Sequence, residues 1–212
     1  MQKRNKAVQP SHSLPDKLAK ERILESSEKL FRIFGVRARI DMIAHDANSN
    51  MDTVLKLFGH FKHLIFLFLK SLIEDAEKNW QEREHSHPHD AEGCLRHWLL
   101  YEGARLSDHC SSERLLARSA AELGVGPQDP LLAMIQQCWQ AERRRVVKLC
   151  EMAGFREPRD LADKILLLVH GARNERGAYG YHGPSRLLHK AADDLMVAHG
   201  AISKPVLAWD DD

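Results

Sequence analysis

Apolar residues recur at helical spacing along most of the chain, and polar residues fill the positions between them. The first such segment begins near Lys17 and ends at Gly35, a natural C-terminal stop for a helix. Its apolar stripe comprises Leu18, Ile23, Leu24, Leu30, Phe31 and Phe34. Further long helices are predicted at about 61–82, 94–107, 111–123, 130–152, 158–175 and 184–199. Because no segment alternates as a half-buried strand does, the chain is predicted to be all-α.

Two short helices joined by a tight turn are predicted after Gly35. The first runs from about Ile40 to Asp46, and the second runs from about Met51 to Leu57. Asn48 in the turn tolerates a left-handed backbone, and Asn50 is a good N-cap for the second helix. Three helices with a sharp turn between the last two form a helix-turn-helix, whose last helix enters the major groove of DNA. An ordinary helical hairpin has the same spacing, so the spacing alone is weak evidence.

The predicted segments divide the chain into three parts. Residues 1–16 are polar, contain two prolines and are interpreted as a flexible arm. Residues 17–62 are predicted to form the three-helix head, and residues 63–212 to form a larger helical body. The polar stretch EREHSHPHDAEG, residues 82–93, is interpreted as a connection within the body.

The charge is distributed unevenly although the net charge is only +1. Residues 1–70 contain 13 Lys and Arg against 7 Asp and Glu, and the remainder contains 18 against 23. A basic N-terminal third is typical of a part that binds nucleic acid, and its alternative is a basic, solvated arm.

The cysteine pattern and the apolar runs favour a cytoplasmic protein with reduced thiols. Cys94, Cys110, Cys138 and Cys150 form no CxxC pair, and no apolar run follows the charged N-terminus. The longest apolar run, Leu64 to Leu69, is far shorter than the roughly 20 residues that a membrane span needs. We therefore expect no membrane association.

The head contains the stretch ILESSEKLFRIFG at residues 23–35 and the stretch IAHDANSNMDTVLKLFGHFKHL at residues 43–64. With these stretches it resembles, over about residues 20–69, the DNA-binding domain of the TetR family of transcriptional regulators, whose first helix typically reads ILxAAxxLFxxxG. Its second and third helices read IAxxAGVSxGTLYxHFxxKxxL, which aligns without a gap with IAHDANSNMDTVLKLFGHFKHL. The matching residues are Ile23, Leu24, Leu30, Phe31, Gly35, Ile43, Ala44, Ala47, Thr53, Phe58 and Leu64. The stretch LADKILLLVHGARNERGAYG also looks like the penultimate helix of many members.

Several positions depart from the family pattern. Asn48 and Asn50 replace glycine and serine, and both substitutions are physically acceptable. Leu55 and Phe61 replace a tyrosine and a lysine that usually contact phosphates. Asp52 replaces a small residue, and its carboxylate suits the helix N-terminus but faces phosphates unfavourably. These departures leave open whether DNA binding survives.

The resemblance implies a DNA-contacting set around the third helix. That set comprises Arg37, Arg39, Asn50, Met51, Asp52, Thr53, Lys56, His60 and Lys62. The Arg and Lys residues would mainly contact phosphates, whereas Asn50, Asp52 and Thr53 are candidates for base edges. Alternatively, Asn50 only caps, Thr53 only packs and Lys62 is only solvated. The basic stretch QKRNK near the N-terminus would add nonspecific phosphate contacts.

In the resembling family the body forms a homodimer and encloses a small-molecule effector. The stripes available for a dimer interface comprise Leu161, Ile165, Leu168 and Ala172 on one helix and Leu187, Leu188, Ala191, Leu195 and Ala198 on the next. Internal packing of these stripes is the alternative. A dimer would suit a palindromic operator in double-stranded DNA. The candidate ligand-binding residues are Trp98, Tyr101, Trp139, His170 and Arg173, and they too could be ordinary core residues.

Catalytic and metal sites are not predicted. His85, His87 and His89 alternate in the predicted connection, which is poor geometry for a tetrahedral metal site. No GxSxG, P-loop, GxGxxG or HExxH motif occurs, so neither an enzyme nor a cofactor is expected. The leading hypothesis is a repressor released by a small molecule. The alternative is a ligand-binding or protein-interaction dimer on the same scaffold that has weakened or lost DNA binding.

Overall fold

The computed structural model describes residues 14–106, 108, 111–124, 129–174 and 183–201, and all regular structure within them is helical. The helices are α1 Leu14–Phe34, α2 Ile40–Asp46, α3 Met51–Phe58, α4 Phe61–Ser86, α5 Ala91–Ala104, α6 Ser112–Leu123, α7 Pro130–Met152, α8 Pro158–Asn174 and α9 Gly183–Ala198. The predicted all-α class is therefore confirmed. Cys110, the basic stretch near the N-terminus and most of the predicted arm lie outside the described residues. Within the described ranges, no helix is long and apolar enough to cross a membrane.

The head has an apolar core formed by α1, α2, α3 and the first turns of α4. Ile23, Phe31, Ile43, Val54 and Leu64 are fully buried there. The ring of Phe31 packs against the rings of Phe61 and Phe68, with centroid distances of 6.0 and 5.3 Å. Two members of the predicted α1 stripe, Leu18 and Phe34, lie outside this core, since half of each side chain is exposed.

Helix α4 contributes residues to both compact units of the chain, which divide after Phe68. The boundary predicted from the sequence lies after Lys62. The rings that pack on Phe31 explain why the first turns of α4 belong to the head.

The predicted connection at 82–93 is mostly helical, since α4 continues to Ser86 and α5 begins at Ala91. Glu, Gln and Arg are good helix formers, so the polar composition did not indicate a break. Asp90 caps α5 by accepting a hydrogen bond from the backbone N–H of Gly93 at 2.7 Å.

The body core is built from α4, α5, α7, α8 and α9. It buries Trp80, Leu95, Trp98, Val146 and Ile165, among other residues. The predicted α8 and α9 stripes divide between core and surface. Leu161, Ile165 and Leu188 are buried, Leu168, Ala172, Ala191 and Leu195 are half-buried, and Leu187 and Ala198 are exposed.

Helices α5 and α9 approach closely at Gly103. A Cβ atom at this position would collide with the ring of His189 and with the Ser185 hydroxyl. The His189 ring is held in place because its Nε2 forms a hydrogen bond with the carbonyl oxygen of Leu99 at 3.0 Å. This contact fixes the position of α5, which carries part of the cavity described below.

Candidate nucleic-acid interface and ligand cavity

The turn between α2 and α3 has the predicted backbone and cap. Asn48 is left-handed, with φ of 49°, and Asn50 is the N-cap of α3. The Asn50 Oδ1 accepts a hydrogen bond from the backbone N–H of Thr53 at 2.8 Å. Gly59, with φ of 76°, follows the last residue of α3. These local features start and stop α3 at defined residues, so its N-terminus has a fixed orientation within the head.

Helix α3 presents a mixed face to solvent. Val54 and Phe58 are buried in the head core. The opposite face exposes Met51, Asp52, Leu55 and Lys56, whereas Thr53 is half-buried. Met51 and Leu55 are 47% and 42% exposed, and they lie one turn apart. The face therefore offers two apolar side chains beside one acidic and one basic side chain.

Two of the predicted phosphate-contacting residues precede α2, and both are exposed. Arg39 forms a fork with Asp41, with Nε to Oδ1 at 3.0 Å and Nη2 to Oδ2 at 2.8 Å. This hydrogen bonding lowers the pKa of Asp41 and raises the pKa of Arg39. The charge of Arg39 is thus partly neutralised within the head, while Arg37 lies exposed nearby in sequence.

The other two predicted contacts lie at the start of α4, where His60 and Lys62 are exposed. The Nδ1 of His60 accepts a hydrogen bond from the backbone N–H of His63 at 3.1 Å. His60 therefore caps α4, and only its Nε2 remains for contact with another molecule. The predicted nucleic-acid set thus lies before α2, along α3 and at the start of α4, and whether it binds DNA stays a prediction.

The body contains a cavity of about 330 Å³. Its lining includes Ile73, Ala76, Glu77, Trp80, Arg83, Trp98, Glu102, Glu113, Leu116, Met134, Gln137, Cys138, Trp139, Ala141, Glu142, Arg145 and Arg173. Three of the five predicted ligand-binding residues, Trp98, Trp139 and Arg173, are in this lining. Tyr101 and His170 are not, although each contacts a residue that is. The volume lies near the lower end of the roughly 300–1,000 Å³ typical of small-molecule sites.

A buried charge network joins α5, α7 and α8 at the cavity. The Arg173 Nη2 lies 2.9 Å from Glu102 Oε2 and 2.8 Å from Glu142 Oε1. His170 extends the network through Nε2, which lies 3.1 Å from Glu142 Oε2. Its ring centroid is 5.7 Å from that of Trp139. Arg173 and His170, both predicted from the sequence, therefore lie together on the acidic residue Glu142.

The protonation of this network follows from burial and charge. Burial raises the pKa of Glu102, and the Arg173 guanidinium only partly opposes this effect. Burial would also raise the pKa of Glu142, but Arg173 and His170 lower it to about 2. Despite desolvation, the two carboxylates raise the pKa of Arg173. Glu142 and Arg173 are thus a stable ion pair, and Glu102 is the member closest to protonation.

Arg83 and Trp80 form a second polar group at the cavity, and neither was among the ligand-binding residues predicted from the sequence. The Arg83 guanidinium lies over the Tyr101 ring, 3.8 Å from its centroid. The Trp80 ring packs against Trp98, with centroids 5.7 Å apart. Within the described residues, the Nε of Arg83 and the indole nitrogen of Trp80 are buried without a hydrogen-bond partner.

Among the described residues, neither the cysteines nor the histidines of the predicted connection add a reactive group at the cavity. Cys94, Cys138 and Cys150 are free thiols. Burial raises the pKa of Cys138 to about 11 and that of Cys150 to about 12, so both stay protonated at neutral pH. His85 lies in the last turn of α4 and His89 before α5, and both are exposed.

One group of described residues, away from those histidines, brings three possible metal-ligand atoms together. Glu157, Asp160 and His199 place them within 4.8 Å of one another. However, Lys164 Nζ lies 2.5 Å from the Asp160 Oδ2, and the two acidic residues are exposed. The Nδ1 of His199 also forms a hydrogen bond with the carbonyl oxygen of Arg156 at 2.6 Å. These contacts explain the arrangement as an ion pair and a loop anchor.

Comparison by sequence finds no match among models of protein families or among curated proteins. Comparison by structure finds extensive similarity to transcriptional regulators. A TetR-family regulator from Streptomyces coelicolor superimposes with a TM-score of 0.70 at 17% identity, over 87% of this chain and 97% of that one.

Two similar structures contain ligands. AibR in complex with isovaleryl coenzyme A and operator DNA has a TM-score of 0.64 at 14% identity, over 84% of this chain and 98% of that one. A transcriptional regulator from Saccharomonospora viridis in complex with choline has a TM-score of 0.64 at 17% identity, over 87% and 97%. The chain therefore has the fold of TetR-family transcriptional regulators, and the predicted resemblance is confirmed at the level of the fold.

Proposed function

We propose that this chain is a homodimeric transcriptional regulator that binds palindromic double-stranded DNA and is released from it by a small-molecule effector. The observation that carries the proposal is the capped, solvent-exposed N-terminus of α3 in a fold shared with TetR-family regulators. The proposal is also supported by AibR, a protein of the same fold whose structure contains isovaleryl coenzyme A and operator DNA.

The exposed face of α3 suggests how bases would be read. Met51 and Leu55 would contact thymine methyl groups, since apolar side chains recognise that group in the major groove. Asp52 would accept a hydrogen bond from the amino group of cytosine. Lys56, Lys62 and Arg37 would contact phosphates and fix the orientation of the helix on the duplex.

Selection from a pool of random duplexes tests this proposal and identifies the operator sequence in the same experiment. We expect a palindromic consensus and an affinity that falls steeply with salt. Lys62→Ala should reduce the slope of log K against log salt by about 1. Thr53→Ala and Lys56→Ala should weaken binding to the consensus, whereas Lys148→Ala, at an exposed position on α7, should leave it unchanged. Failure to enrich any sequence at low salt would overturn the proposal.

Dimerisation through α8 and α9 is supported by apolar residues left on the surface of the body. Leu167 on α8 is 75% exposed, and Leu187 and Val197 on α9 are also exposed. We expect sedimentation to give twice the chain mass of 24.2 kDa and Leu167→Glu to give a monomer. Lys148→Glu, at an exposed position on α7, serves as the control. A monomeric parent protein would contradict this part of the proposal.

Release by an effector would act through α4, because its first turns belong to the head core and its later turns line the cavity. A ligand that binds one position of α4 better than another would change the DNA affinity by that difference. The corresponding test measures DNA affinity with and without a compound that binds the cavity. An unchanged affinity at saturation would show that the cavity does not control the head.

A second candidate function is a ligand-binding or protein-interaction dimer with weak or lost DNA binding. It is favoured by the exposed apolar pair on α3 and by the fork between Arg39 and Asp41. Asp41→Ala separates the candidates, because it frees Arg39. Stronger, salt-dependent DNA binding by this variant would favour the regulator. Absence of DNA binding in both proteins would favour the second candidate.

A further inference from the structure

The cavity contains three arginines, and their partners differ. Arg145 pairs with Glu77, and Arg173 pairs with Glu102 and Glu142. Arg83 is only 8% exposed, yet no carboxylate of the described residues lies within ion-pair distance of its guanidinium. Burying a charge without a partner is costly, so such a group usually binds a ligand or a counter-ion.

We propose that the cavity binds an amphipathic carboxylate whose head pairs with Arg83 and whose apolar part lies among Trp80, Trp98 and Leu116. This inference names the ligand class of the proposed regulator and so rests on that function. The Arg83 guanidinium is stacked on Tyr101, which holds its plane in one orientation. A planar guanidinium held in this way can donate two parallel hydrogen bonds to one carboxylate.

A second unpartnered donor lies one turn before Arg83 on the same helix. The Trp80 indole nitrogen has no acceptor within the described residues, and its residue also lines the cavity. Residues three apart on a helix share a face, so both donors belong to the same wall. An acidic or strongly accepting ligand group matches this wall, whereas an ammonium group does not.

The acidic lining residues do not favour a cationic ligand. Glu77, Glu102 and Glu142 are paired with arginines of the same cavity. Glu113 lies in the first turn of α6, where the helix N-terminus stabilises its charge, and it interacts electrostatically with Arg105 and Arg173. Of the three lining arginines, Arg83 is thus the one without a carboxylate at ion-pair distance among the described residues, and a ligand carboxylate would supply that partner.

Tryptophan fluorescence tests the inference directly, because Trp80, Trp98 and Trp139 line the cavity. A Trp209→Phe background removes the remaining tryptophan of the chain. The probes are 4-phenylbutyrate, the alcohol 4-phenylbutanol, the amine 4-phenylbutylamine, and choline. Straight-chain carboxylates of two to eight carbons extend the series. We expect saturable binding of at least one carboxylate and weaker binding of its matched alcohol and amine.

The variants identify the contact. Arg83→Gln should weaken carboxylate binding by about 10- to 100-fold, as expected for a lost charged hydrogen bond. Arg83→Lys should recover part of the affinity, and Arg143→Gln, which removes a surface guanidinium on α7, should have no effect. Circular dichroism of each variant verifies folding, and Arg83→Lys keeps the test valid if Arg83→Gln unfolds.

Three results would overturn the inference. These are preferred binding of the amine or of choline, equal binding of carboxylate and alcohol, and binding of none of the carboxylates. Because the titration contains no DNA, each result leaves DNA selection by the head as an independent test of the proposed function. Conversely, carboxylate binding by a protein that selects no DNA would support this inference and exclude the regulator.

Discussion

The head and the body differ in where they keep their charged residues. In the described part of the head, every Lys, Arg, Asp and Glu is at least partly exposed. Its buried side chains are apolar, such as Ile23, Phe31 and Val54, or carry only a hydroxyl, as in Ser26 and Ser27. In the body, Arg83, Glu102 and Arg173 are each at most 8% exposed.

The location of the charged residues suits the partner that we propose for each unit, which is DNA for the head and a small molecule for the body. An apolar core holds the head rigid while its polar side chains remain available to a large surface such as DNA. Buried charges in the body are stabilised by one another or by a molecule small enough to enter the cavity. If the comparison is correct, substitutions of buried charges in the body should cost far more than substitutions of surface charges.

Removal of Arg173 should have the largest effect. Arg173→Leu leaves Glu102 and Glu142 buried beside each other without their counter-ion, which should lower the free energy of unfolding by about 3–5 kcal/mol. Urea unfolding followed by tryptophan fluorescence measures this loss, since the described tryptophans all lie in the body.

Arg143→Leu is the matched control for that prediction. Arg143 also forms a fork with a carboxylate, Asp163, with distances of 2.6 and 2.8 Å, but the pair is exposed. Solvent screens such pairs, so we expect little change in stability. Equal effects of the two substitutions would remove the distinction between buried and surface charge on which the comparison rests.

An added methyl group between α5 and α9 should have the next largest effect on stability. Gly103→Ala drives a methyl group into the His189 ring, which cannot move without losing its hydrogen bond to Leu99. Overpacking of this kind should cost about 1–3 kcal/mol of unfolding free energy. Gly171→Ala is the control, because a Cβ there meets open space and alanine favours a helix. A stable Gly103→Ala protein would mean that α5 and α9 can separate.

The head should respond most to loss of the α3 cap. Asn50→Ala removes the acceptor for the Thr53 N–H and should cost about 1 kcal/mol. Asn48→Gly should be nearly neutral, since glycine also adopts the left-handed backbone. Hydrogen exchange of the α3 amides measures both effects. Unchanged exchange in Asn50→Ala would show that packing of Val54 and Phe58, and not the cap, fixes α3.

The predictions from sequence succeeded where the signal was local. The bounds of α2, the left-handed Asn48 and the Asn50 cap each depend on a few neighbouring residues, and all three are confirmed. The body was harder, because its cavity joins residues far apart in the chain. Arg173 was predicted as a ligand-binding residue, but its partners Glu102 and Glu142 were not, since glutamates in amphipathic helices usually face solvent.

Arg83 was missed for a different reason. It lies in a polar stretch interpreted as a connection, whereas the structure continues α4 through it. A signal was present, since Leu69, Leu72, Ala76, Trp80 and Arg83 recur at intervals of three or four residues and thus share one helical face. Following that periodicity past Trp80 would have predicted a buried arginine.

The smallest expected effect concerns the response of the body to acid. Burial lowers the pKa of His189 from its ordinary value of 6.5, so below pH 6.5 the unfolded chain binds more protons at this residue than the folded protein. The contribution of the neutral His189 to the free energy of unfolding is fully present above pH 6.5. It is lost as the pH falls through the pKa of His189 in the folded protein. The raised pKa of Glu102 acts in the opposite sense near pH 4.5, because the folded protein then binds the extra proton.

His189→Gln separates these two contributions, since glutamine can still donate to the Leu99 carbonyl but does not titrate. As the pH falls from 6.5 to 4.5, we expect the parent protein to lose unfolding free energy relative to this variant, because only the parent carries the His189 contribution. Binding of one proton changes the free energy of unfolding by at most about 1.4 kcal/mol per pH unit. The pH slopes of the parent protein and the variant must therefore differ by less than this value. Identical profiles of unfolding free energy against pH in the two proteins would mean that the body tolerates a charged His189. The cost of burying a charge would then distinguish the body from the head less sharply.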